Sequence, residues 1–145
     1  MFVYKSQRDL NFTTSHSMFV DESHGDLKLG TLHKIFDDKS HADLTFSTVQ
    51  KMSVYGSHGD IKYSTVHKMY VYELHGDLMY STVHTLSVDE SHGDLMLCTV
   101  HKMFVDKFHG DLKFSTEQKM SVDESHGDLK FFIVHTCIVS LFTVH

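Results

Sequence analysis

The chain has 145 residues, enough for one ordinary domain, and its 41% hydrophobic and 22% charged residues exclude a disordered segment. A formal charge of -6 provides no basic footprint for nucleic acid, and two cysteines, Cys98 and Cys137, cannot build a disulfide framework. The unusual totals are 14 histidines, no proline and no tryptophan.

Residues 1–10 contain no apolar stretch of the secretory type, so no signal peptide is expected and a cytoplasmic location is the default. The sequon Asn11-Phe12-Thr13 is then expected to be a chance match. From Gln7 onward the chain is one 17-residue unit repeated about eight times. His-Gly-Asp or a close variant begins at His24, His41, His58, His75, His92, His109 and His126. Gln7-Arg8-Asp9 is a degenerate first copy. Numbered from that residue, the consensus is His, Gly, Asp, Leu, Lys, Phe, Ser, Thr, Val, His, Lys, Met, variable, Val, Asp, Glu, Ser. Met1-Phe2-Val3 matches Met103-Phe104-Val105 and places the first residues within a unit. The array is expected to fill residues 1–135, followed at 136–145 by a degenerate, out-of-phase apolar tail.

The copies differ unevenly. Position three is Asp in all eight, position four is Leu or Ile, and position eight is Thr in seven copies and Ile133 in the last. Elsewhere Val becomes Asp37, Ser becomes Leu74 and Phe108, and Glu becomes Lys39, Gly56 and Lys107. Single-base changes in a duplicated DNA repeat leave such a pattern.

Within one unit, apolar residues fall on the even positions four to fourteen, with Val at position nine the clear exception. This alternation, with many Thr, Val, Phe and Tyr, predicts a strand. A continuous helix fails, because its apolar stripe would rotate by about 100° in every repeat. The segment Asp-Glu-Ser-His-Gly-Asp breaks the alternation and supplies turn residues. The expected fold is all-β, an antiparallel meander of about eight strands with position four (Leu95) inward and position five (Lys113) outward. The alternative is a β-solenoid with one repeat per coil, disfavoured because eight aspartates would stack in one column.

The histidines are the candidate ligands, since neutral imidazole binds zinc, copper and nickel. Turn histidines should be solvated, whereas His16, His33, His67, His84, His101 and His135 at position ten should pack beside Thr on the sheet face. In a solenoid the turn histidines would fall in file within reach of a shared metal. The spacing fits no closed zinc motif, and Cys98 with His101 is a weak pair. Ser-His-Gly-Asp holds the residue types of a hydrolase triad, but neighbours in a turn cannot form the relay. The glycine-rich calcium nonapeptide is absent. Met18, Met52, Met69, Met103 and Met120 read as apolar packing. No catalytic, cofactor-binding or metal site is therefore assigned, and no cofactor or enzyme activity is expected.

The uncharged stretch Phe131 to Val144 is short for a membrane span and suits a final strand better. Three functions follow from the sequence: a non-enzymatic β-repeat scaffold or interaction protein, the translation product of a tandem DNA repeat without a selected function, and a weak histidine-rich metal or proton buffer. Neither nucleic acid, membrane nor small-molecule substrate is expected as partner; self-association through sheet edges is. With a pI of about 6.1 the protein should be least soluble near that pH.

Overall fold

The computed structural model describes residues 1–134 and 137–139. Its strands are β1 (Phe2–Tyr4), β2 (Leu10–Asp21), β3 (Leu27–Asp38), β4 (Leu44–Tyr55), β5 (Ser57–His58), β6 (Ile61–Val71), β7 (Leu74–His75), β8 (Leu78–His92), β9 (Leu95–His109), β10 (Leu112–His126), β11 (Leu129–Val134) and β12 (Cys137–Val139). The main path runs β1-β2-β3-β4-β6-β8-β9-β10-β11, and every pairing is parallel. Each residue pairs with its equivalent in the next unit, as in Leu27 with Leu44, Thr48 with Thr65 and Met52 with Met69. The molecule is a β-solenoid with one repeat per coil. β12 keeps this offset by pairing Cys137 with Met120. The remainder of the tail lies outside the described residues.

The antiparallel meander is thus corrected to the parallel alternative. The physical reason lies in the bends of the unit. Between β9 and β10 the paired residues stop at Leu97–Phe114, resume at Thr99–Thr116, then skip His101 and Asp106. Positions seven, ten and fifteen are therefore corners. At a corner two successive side chains can point outward, and the alternation shifts phase. The inward positions are four, six, nine, twelve, fourteen and seventeen, as the buried residues of β9 show. Val at position nine is an inward residue between two corners, which is why it breaks the period of two. A flat meander leaves one face wet; the closed coil buries all six columns on one axis.

Like residues stack on like in this core. Leu27, Leu44, Ile61, Leu78, Leu95 and Leu112 form a fully buried column at position four. Each such side chain contributes about 1.5–3 kcal/mol by leaving water. At position six the Tyr63 hydroxyl donates to Met52 Sδ, and Tyr80 donates to Met69 Sδ at 2.7 Å. Burial pushes both phenols well above the ordinary range. Position seventeen also points inward. Leu74 and Phe108, which replace Ser there, are fully buried and extend the core.

Asp37 is the opposite case. It stands at position fourteen between Val20 and Val54, fully buried, with neither carboxyl oxygen hydrogen-bonded. Burial pushes its pKa from 3.8 up to about 7, and the charges of Asp38 and Asp21 add to the effect. The nearby Ser57 hydroxyl, whose hydrogen bond goes to the Ser40 carbonyl at 3.5 Å, opposes the shift without offsetting it. A raised folded pKa means that stability from this group is complete below the ordinary carboxyl pKa and lost as pH rises through about 7. The difference amounts to about 4 kcal/mol above neutrality. Asp37→Val is therefore expected to raise stability by a few kcal/mol at pH 8 and to abolish the fall between about pH 4 and 8. Urea unfolding at several pH values checks this; parallel pH profiles for parent and variant would show that Asp37 is not the buried titrating group.

Candidate functional site

The His-Gly-Asp turn closes each coil, and its backbone bonds explain its composition. The glycine amide donates up to the next histidine carbonyl, as from Gly76 to His92 at 3.0 Å. The position-four amide donates up to the next aspartate carbonyl, as from Leu78 to Asp94 at 2.9 Å. Between them the aspartate amide donates down, to the carboxylate of the preceding aspartate. All seven contacts from Asp26–Asp9 to Asp128–Asp111 are present, at 2.9–3.3 Å. A side-chain oxygen thus stands in for a ladder carbonyl once per coil. The amide of Asp111, then the ammonium of Lys113, hold the Asp94 carboxyl below its ordinary range. Lys113 bridges Asp94 and Asp111 at 3.3 and 3.4 Å, and Lys62 and Lys130 pair with Asp60 and Asp128. The column once counted against the solenoid is a hydrogen-bonded, partly neutralised ladder.

Glycine at position two is required by close approach. A Cβ on Gly93 would lie 2.3 Å from the Gly76 carbonyl oxygen, and its φ of 149° is unfavourable for other residues.

The turn histidines form one file from His24 to His126. Neighbouring ring centroids are 4.7–5.1 Å apart and the planes tilt by 3–33°. Nδ1 of His24 and His41 donates to the carbonyls of Glu22 and Lys39. A second, interrupted file at position ten joins His16 to His33, and His67 to His84 and His101, at 4.6–4.8 Å. His16, His33, His67 and His84 are exposed and His101 is half-exposed, contrary to the expected packing on a sheet face. The corner turns them outward; His135 lies outside the described residues. Burial, then the charges of His101 and His67, push the His84 pKa down.

Stacked rings are poor chelators. Imidazole lone pairs lie in the ring plane, so stacked rings aim them side by side. Two nitrogens sharing one zinc lie at most about 4.2 Å apart, closer than the stacking distance. Among the described residues no group of three or more His, Cys, Asp or Glu could hold a metal. Nor does the turn assemble a triad. Ser91 is buried inside the coil whereas His92 is exposed outside it.

Outside the turn the charges separate. Every carboxylate side chain except Asp37 and Glu117 occupies position three, fifteen or sixteen. Position eleven, eight residues after position three and four before position fifteen, carries Lys34, Lys51, Lys68, Lys102 and Lys119, all exposed. Among the described residues none of these lysines is in an ion pair. Beside them a shallow groove of about 560 Å3 runs between the Thr file at position eight and the His file at position ten. A second groove, about 510 Å3, passes over Tyr63, Met79, Met96 and Cys98. Reading charge as one total of -6 hid this segregation; the signal available was the absence of Asp from positions four to thirteen.

No family model, curated protein or solved structure matches the chain. Among the described residues no helix is long and apolar enough to cross a membrane.

Two expectations follow. Asp94→Ala removes the acceptor of the Asp111 amide and should cost about 1–3 kcal/mol, whereas Asp94→Asn keeps a carbonyl there and should cost less. The depressed Asp94 pKa contributes stability above the ordinary carboxylate range that is lost on acidification, so both variants should flatten the acid limb below about pH 4. Chemical unfolding against pH tests this, and equal losses for Ala and Asn would disprove the acceptor role. Zinc titration by calorimetry should show only weak, multiple binding; a single tight stoichiometric site would contradict the stacked geometry.

Proposed function

We propose that the chain is a non-enzymatic β-solenoid scaffold that binds a partner through faces repeating once per coil. The observation that carries this reading is the identity of register and repeat: each outward position recurs in file, so that a residue kept along it, such as Thr at position eight, offers one weak contact many times along one line. Multiplied contacts of this kind produce avidity without any deep pocket. The shallow grooves and the outward direction of His opposite the inward direction of Ser support binding over catalysis.

A second reading, an array translated from a tandem DNA repeat without a selected function, is favoured by Asp37. A charge-bearing group in the core, without a hydrogen bond, is what unselected drift leaves behind. Buffering by the stacked imidazoles is compatible with either reading.

The decisive measurement is quantitative detection of the endogenous polypeptide, with limited proteolysis of it in native extracts. The scaffold reading expects peptides from several coils, in a form as protease-resistant as the recombinant array. A transcript without polypeptide, or a polypeptide degraded as an unfolded chain, would overturn it in favour of the second reading.

A further inference from the structure

We propose that the edge formed by positions eight to eleven binds a linear acidic polysaccharide lying along the solenoid axis. The proposal rests on the scaffold reading and names its partner. Lys34, Lys51, Lys68 and Lys102 stand exposed in one file, broken only by Thr85 between the last two, without ion pairs among the described residues. Lys51 also touches the Tyr70 ring, at 5.8 Å from its centroid. Parallel coils space such a file at about 4.8 Å per step. At position five Lys62, Lys113 and Lys130 are instead held by ladder carboxylates, and Lys28 alone is exposed without an ion pair among the described residues.

An acidic polysaccharide presents its carboxylates or sulfates in a line, about one per sugar, and one sugar is close in length to one coil. Its hydroxyls need hydrogen-bonding partners. The adjacent groove supplies them from Thr14, Thr31, Thr48 and Thr65 on one wall and His16 and His33 on the other.

The same face is poorly made for nucleic acid. Single strands bind by stacking bases on aromatic faces. At position thirteen Phe19 and Phe36 stack on each other, 4.9 Å apart and 6° from parallel, and Tyr70 and Phe104 stand two coils apart between serines, so the rings form no continuous platform for successive bases. A duplex spaces its charges at about 1.7 Å on two strands, which one file of cations cannot match.

The test is fluorescence anisotropy of a labelled heparin chain with the full-length protein over a salt series. Two quadruple variants carry the same change in net charge: Lys34, Lys51, Lys68 and Lys102 to Gln, and Lys28, Lys62, Lys113 and Lys130 to Gln. The first is expected to bind at least about ten-fold more weakly, and the second within about three-fold of the parent. The single variants Lys68→Glu and Lys102→Glu, which disturb no packing, should each lose several-fold and so secure the result should a quadruple variant misfold. Equal losses in the two quadruple variants, tighter binding of poly(dT) or of anionic vesicles than of heparin, or no binding by the parent would overturn the proposal. Failure here with abundant folded polypeptide in the cell leaves the scaffold reading intact. Binding in vitro without a cellular polypeptide overturns only the scaffold reading.

Discussion

Parallel stacking with an offset of one repeat brings every residue directly above its own equivalent, and the aspartate at position three is where that rule is hardest to obey. Identical carboxylates in a column repel. In this solenoid each one from Asp9 to Asp111 accepts the amide of the next aspartate, at 2.9–3.3 Å, and lysine ammonium groups sit against several of them. The contact does two jobs at once. It satisfies an amide that the tight turn would otherwise leave without an acceptor, and it spreads the negative charge into a fixed N–H dipole. Because each contact joins successive coils, the ladder also sets the register of the whole array.

The same rule governs the core. A residue on an inward column touches the corresponding residues above and below, so a substitution must suit both neighbours. Leu74 and Phe108 satisfy this at position seventeen, where the surrounding serines are small and the space is apolar. Three of those serines, Ser40, Ser91 and Ser125, keep buried hydroxyls without a partner. Asp37 fails the test, since Val20 and Val54 can neither solvate nor pair with it. The turn varies along the array as well. Lys5, Glu22, Lys39 and Gly56, all at position sixteen, have φ between 48° and 60°, while later coils pass through extended.

Much of this was legible in the sequence: the 17-residue period, the strand character, the turn at Gly-Asp, and the burial of Leu at position four. Strand direction was not, because periodicity reports which face a residue takes and says nothing of the partner strand's direction. A count of like charges misled, since it omitted the backbone amide that each carboxylate meets. The informative residue was Val at position nine. Read as an exception, it left His at position ten on the inner face; read as a corner, it turns His16, His33, His67 and His84 outward. The lysine file was missed for a related reason. Net charge is a property of composition, whereas the separation of Lys34, Lys51, Lys68 and Lys102 from the carboxylates depends on wrapping the chain into coils.

Some positions are held by folding alone: Asp by the ladder, Leu by the core, Gly by the close approach of successive turns. Threonine at position eight has no such reason. It is the same residue from Thr14 to Thr116, exposed in most coils. Strand propensity would be served as well by Val or Ile. Recent duplication would preserve it no better than position thirteen, which shares the outer surface yet runs through Phe19, Phe36, Ser53, Tyr70, Ser87 and Phe104. Its recurrence in seven copies, with Ile133 in the eighth, is what the proposed binding edge would ask of an outer position whose outer neighbours drift. The threonine file forms one wall of the groove beside the lysines of position eleven, so the hydroxyls that recur line the same edge on which the charge is set apart.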